Sequence, residues 1–407
     1  MIKRVLASVS LAAAVALVAA LPVAGQAQGG PSSQAPALVI TAYNGGPVPA
    51  NWAAPKTPWG EPDLQGVWSS DDATFPVSRP ANQSGLYLDD QQWAARQKQI
   101  QQGVATGESA VGAFRGDFAR RAFRQTSYIV DPPDGRMPAP TAEARTRAAP
   151  RDRGTFGDGP FDSYTDFTLY DRCITRGIVG SVLRVIYGNG NRIVQAPGMV
   201  AISYEMIHDT RVIYTDGRPH VGNGIRQYLG DSRGWWEGDT LVIETTNLTD
   251  RTSIGANGNG LRHSDQMAMV ERIRRVADDI VQYQLTVIDP VTYPRPFTMS
   301  IPLTPLDGGV ILPYECHEGN GAVRNALAGE RAEERALADD LSRGIIRPRR
   351  GPQEDGLGAG AFGGQPQPRR GSDAWRAAQA RSGGPGRGGA GGGGRAGGPP
   401  ADGDQER

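Results

Sequence analysis

All four histidines of this 407-residue chain, His208, His220, His263 and His317, fall within residues 161–342. An imidazole changes charge near neutral pH, so such a group offers general acids and bases or metal ligands. The same stretch holds most of the residues expected to be ordered, which makes the enrichment modest. Glu271 stands out among the carboxylates. Met269, Glu271 and Ile273 occupy alternate positions, while Arg272 and Arg274 take the opposite face. A carboxylate among apolar neighbours must be paired or hold its proton more tightly. A buried arginine partner or an acid–base role would each account for it, and the ion pair is the more frequent outcome.

Register places His208. If one strand runs through it, Val200, Ile202, Tyr204, Met206 and His208 share a face, because side chains alternate along a strand. Were that face to line a cavity, Tyr204 and Met206 would contact a ligand and His208 would sit at the rim. The competing reading is a histidine that closes a hydrogen bond at a strand end. His263 lies in Leu261-Arg262-His263-Ser264-Asp265, at a loop mouth. Residues this close cannot form a hydrolase triad among themselves, and no Gly-x-Ser-x-Gly elbow occurs, so serine hydrolase chemistry is disfavoured.

Glu315-Cys316-His317-Glu318 concentrates possible ligands. Zinc there would need Cys316 as a thiolate, and the chain has no His-x-His or His-Glu-x-x-His pair, so metal binding has little support. A divalent ion, if held, would fall to His208 with His220 or His317. In the turn Asp216-Gly217-Arg218-Pro219-His220 and just beyond it, Arg218 or Arg226 is suited to gripping a carboxylate at two points. Trp235-Trp236-Glu237-Gly238-Asp239 reads as a hairpin turn capped by aromatic packing, with a sugar-stacking platform as the alternative. The resulting assignment makes His208, His263, His317 and Glu271 catalytic, and Tyr204, Met206, Arg226 and His220 substrate-binding, with no metal or cofactor.

The elements that position these residues have period two. Strands are expected over Met199–Met206, Arg211–Tyr214, Thr240–Thr246, Ala268–Val276, Asp279–Val287, Phe297–Leu303 and Val310–Cys316. Turn sequences such as Ala196-Pro197-Gly198, Glu237-Gly238-Asp239 and Asp307-Gly308-Gly309 separate them. Short strands joined by tight turns pair antiparallel. The expected fold is therefore all-β and mainly antiparallel: a lipocalin-like barrel or strongly curved sheet, with a long N-terminal insertion and a short C-terminal helix. A β-sandwich is the alternative. Gly66-Val67-Trp68, in a first strand from Pro62, is the kind of Gly-x-Trp that opens many lipocalin-like barrels. Leu88–Gln102 and Ala322–Ser342 have helical composition.

The ends set the context. Lys3 and Arg4, the apolar run Leu6–Val23 and Gly25-Gln26-Ala27 read as a secretory signal over 1–27, with a membrane anchor as the alternative. An extended arm spans 28–60, and 61–160 holds the first strand and the insertion. The β domain follows over 161–342. The tail 343–407 is Gly, Pro and Arg with little to bury, so it is expected to stay disordered. Acidic and basic residues balance at 43 each, which provides no field favouring nucleic acid or a membrane surface. Cys173 and Cys316 are the only cysteines, natural disulfide partners in an oxidising compartment, with two buried thiols as the alternative.

Several short motifs recur in a familiar order: Tyr204-Glu205-Met206-Ile207-His208-Asp209, Asp216-Gly217-Arg218-Pro219-His220, Trp236 to Val242, His263-Ser264-Asp265 with Val270-Glu271-Arg272, Asp289-Pro290 with Arg295-Pro296, and Cys316-His317-Glu318-Gly319-Asn320. Over about residues 58–335 the chain resembles a large group of secreted bacterial proteins of uncharacterised function. The resemblance implies export and the domain's extent, and lends no residue a catalytic role. The leading expectation is a periplasmic or secreted enzyme doing His/Glu acid–base chemistry (isomerisation, elimination or hydrolysis) on a small, partly apolar organic compound. The alternatives are a non-catalytic carrier of a hydrophobic ligand and an envelope interaction protein.

Overall fold

A computed structural model describes residues 42–106, 120–148 and 161–346, apart from Gly45, Ile186 and Asn259. The expected signal peptide and the tail beyond 346 lie outside the described residues.

Nine strands make up the main sheet, alternating in burial along β2 to β4 and buried almost throughout along β8 and β9: β1 (Gly66–Ser69), β2 (Gly190–Ala196), β3 (Met199–Tyr204), β4 (Thr210–Tyr214) and β5 (Asp231–Glu237), then β6 (Thr240–Thr246), β7 (Ala268–Ala277), β8 (Ile280–Ile288) and β9 (Phe297–Pro305). Each strand pairs with the next in the chain. β9 then returns to β1 through Ser69 opposite Thr304 and Trp68 opposite Pro305, closing a barrel. The sandwich alternative is thereby set aside. A short strand, Ile129–Asp131, from the insertion adds to the outside of β9.

Nine is an odd number, and antiparallel neighbours must alternate in direction. A closed ring of nine therefore needs one parallel contact. It falls between β4 and β5, which meet only at Tyr214 and Arg233 after the loop 215–230. Every other contact around the ring is antiparallel.

Inward side chains from all around the ring, Trp68, Tyr204, Ile213, Ile243, Tyr283 and Phe297 among them, pack into one cluster that fills the barrel. Burying each large apolar side chain contributes about 1.5–3 kcal/mol. Gly66 has φ +142°, and a Cβ there would lie 3.2 Å from the Trp68 indole nitrogen. That indole is buried and donates to the Leu64 carbonyl at 2.9 Å. The Gly-x-Trp thus bends the first strand and seats an aromatic in the core. Gly234 works at the seam, where a Cβ would come within 2.8 Å of Ile213 Cγ2 and hold β5 away from β4.

Three expectations change. Val310–Cys316 is irregular rather than a strand. The strand expected to run through Met206 stops at Tyr204. Gly190–Ala196 is a strand that polar Asn191, Arg192 and Gln195 concealed from a search for apolar alternation. Helix α1 spans Asp90–Thr106, α2 Ala142–Ala148 and α3 Gly177–Val182. The C-terminal helix α4 covers Ala322–Ser342 as expected, yet buries none of its residues. Cys173 and Cys316 form a disulfide, 143 residues apart in sequence. Among the described residues no helix is long and apolar enough to cross a membrane.

Candidate functional site

Glu271 points inward from β7, as its register requires, and is fully buried. Its carboxylate accepts from Arg211 Nη1 at 2.6 Å and from Arg211 Nη2, and the Tyr283 hydroxyl donates to the same group. Thr245 Oγ1 donates at 3.4 Å. Burial alone would lower the Arg211 pKa, but the adjacent carboxylate outweighs it and holds the guanidinium well above its usual value. Glu271 is therefore one half of a buried ion pair with its oxygens occupied, an arrangement that suits structure better than proton transfer. Arg211 was the missed partner. It shares parity with inward Ile213, which was the available signal.

Arg211 also reaches the parallel seam. There a cleft of about 1060 Å³ opens between β4, the loop 226–230 and the start of β5. Its apolar lining includes Ile174, Val212, Tyr214 and Leu229, and its charged lining includes Asp209, Arg211, Asp231 and Arg233. The Arg211 Nε has no protein acceptor. Asp209 accepts from Thr175 Oγ1 at 2.5 Å, and burial raises its pKa. Tyr204, inside the barrel, has its hydroxyl beside the Arg211 guanidinium and a pKa pushed up to about 12, chiefly by burial.

Two sequence-predicted binding residues adjoin this cleft. Arg226 lines it, but Nη1 donates to the Leu248 carbonyl at 3.1 Å and to that of Asp265, and Nη2 lies 3.5 Å from the Asp265 carboxylate. Its guanidinium is thus held by the protein. His220 stands behind Asp231, with Nδ1 2.8 Å from Asp231 Oδ2 and Nε2 3.3 Å from Glu244 Oε2. The Glu244 hydrogen bond, opposed by partial burial and helped by Asp231, raises its pKa. His220 is an electrostatic clamp between two strands.

His208 departs from its expected place. The Tyr204 N–H bonds the Asp209 carbonyl at 2.9 Å, so the chain reverses over 205–208 and alternation ends. Ile207 (φ 67°) and His208 (φ 47°) take left-handed backbone, which is costly for a β-branched residue. His208 is consequently exposed, with Nδ1 3.1 Å from the Tyr314 carbonyl, and does not rim the barrel lining. Met206 likewise leaves the lumen and packs with Val185 and Ile207 against Tyr170, Tyr314 and Cys316. His317 is exposed beside the disulfide, and the bonded Cys316 leaves no thiolate for a metal. His263 is buried elsewhere: Nδ1 lies 2.8 Å from the Ser264 carbonyl and Nε2 2.5 Å from Thr252 Oγ1. A carbonyl only accepts, so Nδ1 carries the proton and Nε2 accepts from Thr252. Burial lowers the pKa of this ring and keeps it neutral. The four histidines thus serve separate places.

A residue the sequence did not single out sits close to the disulfide. Arg176 precedes α3, whose six residues are all buried, and is itself 1% exposed. Nε, Nη1 and Nη2 all lack a protein acceptor. The groups that share its electrostatic surroundings are the phenols of Tyr170, Tyr314 and Tyr187. The Tyr170 and Tyr314 hydroxyls lie 3.5 Å apart, with the Tyr187 phenol close by. Burial pushes the Arg176 pKa down to about 10. Its only sequence signal was a lone charge between Cys173 and the apolar run Ile178-Val179.

Comparison of the chain with protein-family models, with curated proteins and with solved structures found no match.

Proposed function

We propose that the protein is an exported binder of a small, partly apolar organic molecule carrying both donor and acceptor groups, held in the cleft at the parallel seam. The observation that carries this reading is the cleft itself: about 1060 Å³, at the upper end of ligand-site dimensions, lined in part by Arg211 and by the Asp231–Arg233 ion pair. Its walls mix apolar side chains with paired opposite charges, which selects against a purely hydrophobic guest. The packed barrel interior likewise moves the carrier reading from the lumen to the seam. Export is supported by the signal-like first residues together with the disulfide, a bond that persists in oxidising compartments.

Val212 lines the cleft and is 41% exposed, so Val212→Trp fills the space without disturbing the ion pair beneath. Ligand-observed NMR of the mature protein against a library of small organic acids, amines and zwitterions should yield binders that V212W loses. A library whose hits bind V212W equally well would sink the assignment.

A second reading, acid–base turnover of the bound molecule, is favoured by Asp209. This carboxyl lines the cleft, is anchored by Thr175, and holds its proton more tightly than a solvated aspartate. The separation of the histidines shifts the candidate acid–base group from His208 to Asp209. Asp209→Asn should abolish turnover of a true substrate and leave its binding within about threefold, since charge rather than shape is removed.

A further inference from the structure

The guanidinium of Arg176 is a buried cation for which the protein supplies no acceptor at any of its three nitrogens. Burying a charge without compensation is costly, and proteins ordinarily pair it. The phenols of Tyr170, Tyr187 and Tyr314 share its surroundings, with one proton already lying between the Tyr170 and Tyr314 hydroxyls, and burial raises the pKa of Tyr170 and Tyr187, so both phenols keep their protons. Tyr187 is 46% exposed and Tyr170 and Tyr314 are half-buried, so the phenols face solvent and cover the sealed guanidinium nitrogens, which a ligand reaches by displacing them. The Cys173–Cys316 disulfide ties the segments that carry Tyr170 and Tyr314. The left-handed Ile207 and His208 fix the neighbouring turn, with His208 against the Tyr314 carbonyl.

We propose that Arg176 and the three tyrosines form a second binding site, distinct from the seam cleft, for a small organic anion: a carboxylate on a flat body. The carboxylate pairs with the guanidinium through charge-assisted hydrogen bonds and accepts from the phenols. Its flat body lies against the rings.

Benzoate is the probe, with uncharged benzamide and inorganic phosphate as controls, titrated into the mature, oxidised protein in buffer free of other oxyanions. Benzoate should raise the melting temperature, because it binds the folded state, and benzamide should bind at least about tenfold more weakly. Arg176→Met should melt higher than wild type without ligand and ignore benzoate, since it removes an unpaired buried charge while keeping volume. Tyr187→Ala, an exposed change, should weaken benzoate about tenfold. If R176M fails to fold, Arg176→Gln decides through loss of the benzoate response alone. Equal effects of benzoate and benzamide, no effect of either, or stabilisation by phosphate but not benzoate would each overturn the proposal. So would an R176M that folds but melts lower than wild type. V212W should bind benzoate normally, so this site and the seam cleft fail separately.

Discussion

Arg211 on β4 and Glu271 on β7 meet inside the barrel as a two-point ion pair, 60 residues apart in sequence. Both are almost wholly buried, and Tyr283 completes the carboxylate's partners. The pair bridges the strand at the weak parallel seam to the far wall of the barrel. Removing one partner strands the other in a low-dielectric interior. Glu271→Gln should therefore cost about 3–5 kcal/mol by urea denaturation, whereas Arg211→Met combined with Glu271→Leu should recover most of the loss. A single variant that unfolds at the wild-type midpoint would show that the pair is dispensable.

The disulfide links positions 143 residues apart, so it restricts a long loop of the unfolded chain. The chain-entropy estimate for such a loop is about 5 kcal/mol, with about 2–5 kcal/mol typical of measured losses. Cys173→Ala with Cys316→Ala should lower stability by an amount in that range. The same variant should also weaken benzoate binding more than binding in the seam cleft, because the Arg176 site draws on both tied segments whereas the cleft draws only on Ile174 and Thr175 of one.

Two histidines bend the pH–stability profile in opposite directions. Burial keeps His263 neutral and depresses its folded pKa. Its contribution is therefore complete above the unfolded value of about 6.5 and is lost as pH falls through the depressed one. His220, raised chiefly by its Glu244 hydrogen bond, contributes fully below about 6.5 and loses that contribution as pH rises through the raised value. In urea midpoints measured across the neutral range, His263→Gln should flatten the acid limb and His220→Gln the alkaline limb. Unchanged slopes in both variants would remove these groups from the linkage.

Gly234 allows the seam to close. A side chain there would meet Ile213 at 2.8 Å. Gly234→Val should overpack the interior and cost about 1–3 kcal/mol or more, and it should alter the ligand profile of the cleft as β5 is displaced from β4. Retained stability and an identical profile would show that β5 has room to spare.

Local features of the amino-acid sequence determined a good deal here. The strand Thr240–Thr246, the inward register of Glu271, the Glu237-Gly238-Asp239 turn and the Gly66-Val67-Trp68 start each depend on neighbours a few residues away. Two cysteines allowed only one pairing, and the fold decided that the bond forms rather than leaving two thiols. Tertiary structure decided the rest. His208 lost its expected face because the chain reverses over 205–208, closed by the hydrogen bonds from Tyr204 N–H to Asp209 and from His208 N–H to Glu205. Arg211 found Glu271, and the parallel seam with its cleft arose, only when nine strands closed into a ring that cannot alternate all the way round. The isolation of Arg176 beneath three tyrosines required segments near 170, 187 and 314 to converge. Periodicity reports which way a side chain faces; what it meets there depends on chain closure over distances that local spacing does not encode.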